Sequence, residues 1–250
     1  MMPVPKPDAL PVTSVEIAFR IPGTWSHPGE LLDSIPADFR LSPEALIMPD
    51  GTQVDFGAAK ADDQFAEIFR SSCRRPATKD ELATVNGYKV NVFLSGSGGS
   101  MQAAHRMMQA GAAFVRAGGG GVFIDNSGLA HGGKNWLEMT DDGGPDALSF
   151  AFVSIIKSRT EVWTMGMHVL GLREVVMKRS DADDFDIIDV IRYLASSDKP
   201  VDDGHIIADL DGPRFRTDAE ETKDMPPGSP MHNPFGRLRL VSMRDVAETN

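Results

Sequence analysis

Cysteine is almost absent from this chain: Cys73 is the one thiol in 250 residues. It cannot close an intramolecular disulfide, so a disulfide framework is excluded and a reducing compartment is expected. Long apolar runs are missing too. No segment approaches the ~18 uninterrupted apolar residues of a membrane-spanning helix, so no span is expected. Positive charge is scarce, with Lys and Arg numbering 25 against 36 Asp and Glu, for a formal charge of -11 and a pI near 4.9. That balance argues against nucleic acid or an anionic membrane surface as the main partner. It fits a soluble protein, or one that docks onto something basic. The opening MMPVPKPDALPVTSV carries four prolines and no apolar run of export-signal length. Residues 1–14 read as an extended leader, and the expected location is cytoplasmic.

The usual catalytic signatures are missing as well. No serine stands in a G-x-S-x-G elbow. The six histidines, at 27, 105, 131, 168, 205 and 232, form no H-x-H or H-x-x-x-H pair, so neither a metal nor a cofactor is expected. Cys73 lies in FRSSCRR, where Arg74 and Arg75 would lower a thiol pKa, but a small residue closing a helix is the plainer reading.

Hydrophobic residues at 41% and charged residues at 24% are ordinary globular values, and the length suits one large domain or a domain with an appendage. The most informative stretch is 89–127: KVNVFLSG, a glycine turn, a Met- and Ala-rich segment, RAGGGG and VFIDNS. It reads as strand, helix and strand. Met101, Ala104, Met108, Ala112 and Val115 keep helical spacing, and Ser100 stands at the N-cap. Elsewhere, residues 15–21 alternate as a half-buried strand stopped by Pro22 and Gly23. Residues 45–56 read as a hairpin about Pro49-Asp50-Gly51, and 62–72 as a helix capped by Asp62. A short helix is expected over 28–34 and another over 134–139. The near-continuous apolar run 147–156 is expected to be a central strand covered on both faces. A strand, or a strand running into a turn, follows over 161–170, then a strand over 174–178 and an amphipathic helix over 184–195. Residues 205–216 read as a hairpin and 237–243 as a last strand.

This pattern predicts an α+β fold: a largely antiparallel mixed sheet with helices on one face and ferredoxin-like split βαβ elements. The expected organisation is a core over 15–180, with a C-terminal helix, loop and closing strand over 181–250 packed on it.

Several segments are candidate sites. The loop Ser95-Gly96-Ser97-Gly98-Gly99-Ser100 resembles an anion cradle, in which Ser97 and Ser100 would bind, although it lacks G-x-G-x-x-G and a lysine. Gly128 through Lys134 has the glycine and lysine spacing of a phosphate-binding P-loop, but Asn135 replaces the required Ser or Thr. Asp181, Asp183, Asp184 and Asp186 resemble a calcium loop without its glycine and terminal glutamate, and a solvated helix start is the simpler account. His131 is a conceivable acid–base partner of Glu138 or Asp125. The glycine in Thr164-Met165-Gly166-Met167-His168 implies a bulge or a close backbone approach, with Thr164 and His168 beside it.

At this motif the chain resembles a bacterial family of domains of unknown function, number 4261. The residues that carry the likeness are the 147–156 segment, TMGMHVLGLREVVM at 164–177, and the glycine-ended helix before GVFIDNSG. The resemblance covers roughly residues 15–177 and implies an α+β domain without implying any activity. The leading expectation is a non-enzymatic protein-binding domain, of immunity- or secretion-associated type, with a basic partner. The alternative is a small-molecule or phosphate binder, or a hydrolase, with a cleft between 95–100, 126–135 and 164–168. That cleft would be built from Ser97, Ser100, Asp125, His131, Lys134, Thr164 and His168.

Overall fold

The computed structural model describes residues 14–27, 29–182, 187–197, 199–208, 214–221 and 225–243. Residues 1–13 of the proposed leader, three of the four clustered aspartates (Asp183, Asp184 and Asp186) and the turn of the 205–216 hairpin lie outside them. The class is α+β, but the strands form two sheets where one was expected. The first contains β1 (Glu16–Gly23), β2 (Arg40–Leu41), β3 (Ala45–Ile47), β4 (Gln53–Lys60), β5 (Val90–Ser97), β6 (Gly121–Ile124) and β7 (Leu129–Gly132). Its order is β2-β3-β4-β5-β1-β6-β7, antiparallel throughout. The second contains β8 (Ser154–Lys157), β9 (Glu161–Met165), β10 (Glu174–Lys178), β11 (Ile206–Ala208), β12 (Arg214–Glu220) and β13 (Arg237–Ser242). Its order is β11-β12-β13-β10-β9-β8, with β10 and β13 parallel and the other pairs antiparallel. The helices are α1 (Glu30–Ser34), α2 (Phe65–Ser72), α3 (Lys79–Asn86), α4 (Met101–Arg116), α5 (Gly133–Asp142), α6 (Pro145–Phe152), α7 (Arg179–Ala182) and α8 (Ile187–Ser196). Among the described residues, no helix is long and apolar enough to cross a membrane.

The 89–127 segment forms the expected split βαβ unit. β5 and β6 each run antiparallel to β1, so they are parallel to one another with β1 between them, and α4 joins them. Ser100 Oγ accepts from the Ala103 amide at 3.1 Å, capping α4, and the helix buries Ala104, Met107, Met108, Ala112 and Phe114. Gly111 lets α5 approach closely, because a Cβ there would lie 3.1 Å from the Trp136 indole nitrogen. That nitrogen donates to the Met108 carbonyl at 3.1 Å. Phe19 of β1 packs edge-on to Trp136 and stacks on Phe152, with ring centroids 5.3 and 6.0 Å away. The same buried cluster runs on to Val175 and Leu240 of the second sheet and to Val190 of α8, so one core serves both sheets.

The apolar run 147–156 is not a central strand. It is the body of α6, followed by the short strand β8. Pro145 at the first helical turn starts the helix, and its packing among α5, α8 and the turn after β9 makes it apolar on nearly every side. Burial on all sides removes the polar stripe that distinguishes a helix from a buried strand. Helices also cover both faces of the first sheet, not one. Phe123 points away from its neighbours Val122 and Ile124, and it packs with Phe65 and Phe69 of α2, Val85 of α3 and Ala130. α2 begins at Phe65, later than the sequence suggests, although Asp62 Oδ1 does accept from the Gln64 and Phe65 amides at 2.9 and 2.8 Å. β1 continues through Pro22 and Gly23 instead of stopping there. The 161–170 segment is a strand that turns at Gly166 into a 3-10 helix, Met167–Leu170.

Gly166 adopts φ +106°, and a Cβ there would lie 2.2 Å from the Phe152 carbonyl oxygen. Gly166→Ala is therefore expected to destabilise by at least about 1–3 kcal/mol from backbone conformation alone. Urea unfolding checks this: the midpoint should fall at unchanged slope.

Candidate functional site

The turn after β9 is organised by one buried carboxylate. β9 ends at Gly166, the 3-10 helix reverses the chain, and β10 returns beside β9 with Glu174 as its first residue. The Thr164 hydroxyl donates to Glu174 Oε2 at 2.7 Å, and the amides of Gly166 and Met167 donate to Oε1 at 3.1 and 3.0 Å. Asn233 Nδ2 donates to the same oxygen at 3.0 Å. His168 Nδ1 lies 3.5 Å from it, while Nε2 donates to the Pro230 carbonyl at 2.9 Å. Thr164 Oγ1 also accepts from the Val175 amide at 2.8 Å. Across the seam, Asn126 Nδ2 donates to the carbonyls of Glu16 and Pro230, each at 2.9 Å, and Asn126 Oδ1 accepts from the Ala18 amide at 3.0 Å. This network ties β1, the 3-10 helix, β10 and the 225–236 segment together.

The three segments expected to frame a cleft do meet here, but they are packed against each other. The Gly99 amide donates to the Val169 carbonyl at 2.9 Å, and a Cβ on Gly171 would lie 2.4 Å from the Gly99 oxygen. Thr164 and His168 come together on Glu174; the other candidates go elsewhere. Ser100 caps α4, and Ser97 is exposed at the end of β5. Asp125 receives the Arg20 Nε at 2.8 Å, and burial pushes its carboxyl pKa up against the opposing pull of that guanidinium. His131 is buried and donates from Nε2 to the Ala151 carbonyl at 2.9 Å. Lys134 is exposed, its Nζ 4.0 Å from Glu138. His131, Lys134 and His168 thus have separate partners, and the arrangement supplies no shared catalytic centre.

The P-loop likeness also dissolves. Residues 129–132 are strand β7, paired with β6. The N-terminus of α5 is occupied by a carboxylate, since Glu81 Oε1 accepts from the Lys134 amide at 2.7 Å. Glu81 is fixed there by the capping box it forms with Thr78 at the start of α3. Cys73 is the C-cap of α2, and burial pushes its thiol pKa up. Arg74 and Arg75 lie over the Phe150 ring, each 4.7 Å from its centroid.

What remains open is the outer face of β4, β5 and β1. It carries the small residues Gly57, Ala59, Ser95 and Ala18, together with Phe93 and the Arg20 guanidinium 5.6 Å from the centroid of that ring. Asp55 pairs directly with Ser95 in the sheet register, and the Ser95 hydroxyl donates to Glu16. Glu16, Asp55, Gln53, Ser95 and Ser97 line a shallow cavity of about 250 Å³ on this face. Among the described residues, neither Glu16 nor Asp55 pairs with a cationic side chain. Sequence reading found Ser97 but missed this face, together with Glu174, Asn126 and Asn233. A charged residue opening the otherwise apolar strand EVVM was the available signal for Glu174.

Comparison with protein-family models, curated proteins and solved structures finds no match to this chain.

Burial lowers the pKa of His131 from 6.5 to about 4, with the nearby Arg74 and Arg75 adding to the effect. Between those values the unfolded chain binds a proton that the folded chain refuses. The stabilisation is therefore complete above pH 6.5 and is lost as pH falls towards 4, a difference of roughly 3 kcal/mol. Urea unfolding between pH 7 and 4.5 should show a shallower decline for His131→Gln than for wild type; equal slopes would contradict the assignment. Glu174→Ala leaves the Gly166 and Met167 amides and Asn233 without their acceptor. A loss upward of about 3 kcal/mol is expected, at roughly 1–3 kcal/mol per stranded group. Calorimetry of the purified variant reads it directly.

Proposed function

We propose that this chain is a non-enzymatic protein-binding domain that docks a basic partner on the open face of β4, β5 and β1. Membership of the family resembled at 164–177, a cytoplasmic location and an immunity- or secretion-associated role belong to the same proposal. The observation that carries it is an open stretch of this face bearing two carboxylates, Glu16 and Asp55, that pair with no cation among the described residues. The net charge of -11 gives the whole molecule the same sign.

The polar groups that a catalytic reading needs are already committed. His131 donates to Ala151, His168 is held between Glu174 and Pro230, and Asp125 is paired with Arg20. The open face has the opposite character: flat, hydroxyl-rich and acidic. Exposed ion pairs contribute only about 0.2–1 kcal/mol each. The carboxylates therefore act mainly on encounter rate and register, while contact over the flat strands supplies most of the affinity.

A displayed library of twelve-residue peptides, selected on the full chain at low salt, tests the reading. Selected peptides should be enriched in Lys and Arg. Synthetic versions should bind at least tenfold more weakly to the Glu16→Lys, Asp55→Lys double variant, and more weakly to wild type as salt rises. Peptides that bind the folded double variant as tightly as wild type would overturn it.

A further inference from the structure

A second cavity bears cationic side chains and shares no lining residue with the docking face. It measures about 450 Å³ and sits where the approach to β10, the end of α8 and the start of β13 meet. That volume falls within the roughly 300–1,000 Å³ typical of small-molecule sites. We propose that this cavity binds an amphipathic monocarboxylate, with the apolar body on its floor and the carboxylate at Lys199.

The floor is aliphatic. Leu194 of α8 and Leu238 of β13 are buried beneath the cavity, and Leu172 and Val201 form its walls. Phe235 stands at the rim, 37% exposed, unusually open for a ring beside so much apolar surface. An apolar ligand body laid between this ring and the leucines would cover both.

The charge of the lining fixes the sign and number of the ligand's charge. Arg173 and Lys199 contribute two positive charges and Asp202 one negative, leaving one positive charge in a protein that is otherwise strongly acidic. Arg173 already donates to Asp202 at 2.8 Å. Among the described residues, Lys199 takes part in hydrogen bonds only through its main chain, to Ser197, and its ammonium has no carboxylate partner. One uncompensated ammonium matches a monoanion, whereas a phosphate dianion would exceed it.

Isothermal titration of the full chain with 4-phenylbutyrate, octanoate and 4-phenylbutyramide tests this. Both acids should bind at one site and raise the melting temperature, as a ligand of the folded state must. The neutral amide should bind at least tenfold more weakly than the matching acid. Lys199→Ala should weaken acid binding at least tenfold but leave amide binding unchanged, and Phe235→Ala should weaken 4-phenylbutyrate and its amide alike. Equal binding of acid and amide, full binding to Lys199→Ala, or no binding of either acid at millimolar concentration would each overturn the proposal. None of these outcomes bears on the peptide selection, which reads a different set of side chains.

Discussion

The fold turns on the burial of the Glu174 carboxylate. A carboxylate removed from water is costly unless donors surround it, and a tight turn inside a core strands amides that need acceptors. Here each requirement answers the other. The Gly166 and Met167 amides, the Thr164 hydroxyl and the Asn233 amide group all point at the two oxygens of one side chain. With the turn fixed, the 3-10 helix presents Val169 to the Gly99 amide and His168 to Pro230. The first sheet is thereby joined to the second. Without an acceptor at position 174, the Gly166 and Met167 amides would be stranded in a dry interior.

How much of this was legible in the sequence depends on whether each element has a wet side. β1 and α4 touch water along one edge, so their periodicity shows and both were expected; α6 is buried nearly all round, so nothing in its pattern separates helix from strand. The error about residues 147–156 follows directly, and it hid the existence of two sheets. A different failure concerns α3. Thr78 and Glu81 have the spacing of a capping box, a readable signal that was passed over. The same Glu81 explains why the Gly128–Lys134 spacing misled: a pattern suited to phosphate is filled by the protein's own carboxylate.

The histidines show why residue type alone is a poor guide to chemistry. His131 and His168 were attractive because imidazole titrates near neutrality. Both are buried donors to main-chain carbonyls, at Ala151 and Pro230, positions that a sequence cannot bring together on paper. Thr164 and His168 meet at Glu174, a residue that their spacing in the chain does not single out. A buried network with all its members satisfied is a structural device first, since disturbing any member exposes the others to the cost of lost partners.

That distinction separates the interior from the surface. The polar groups gathered around Glu174 are matched donor to acceptor, leaving them little capacity for a ligand. Glu16 and Asp55 on the β4–β5–β1 face, and Lys199 at the second cavity, are charged, accessible and without a countercharge of their own among the described residues. A free countercharge at the rim of a concave or flat surface lowers the cost of bringing in an opposite charge, because no internal pair must first be broken. The two surfaces carry opposite local signs, so they select different classes of ligand.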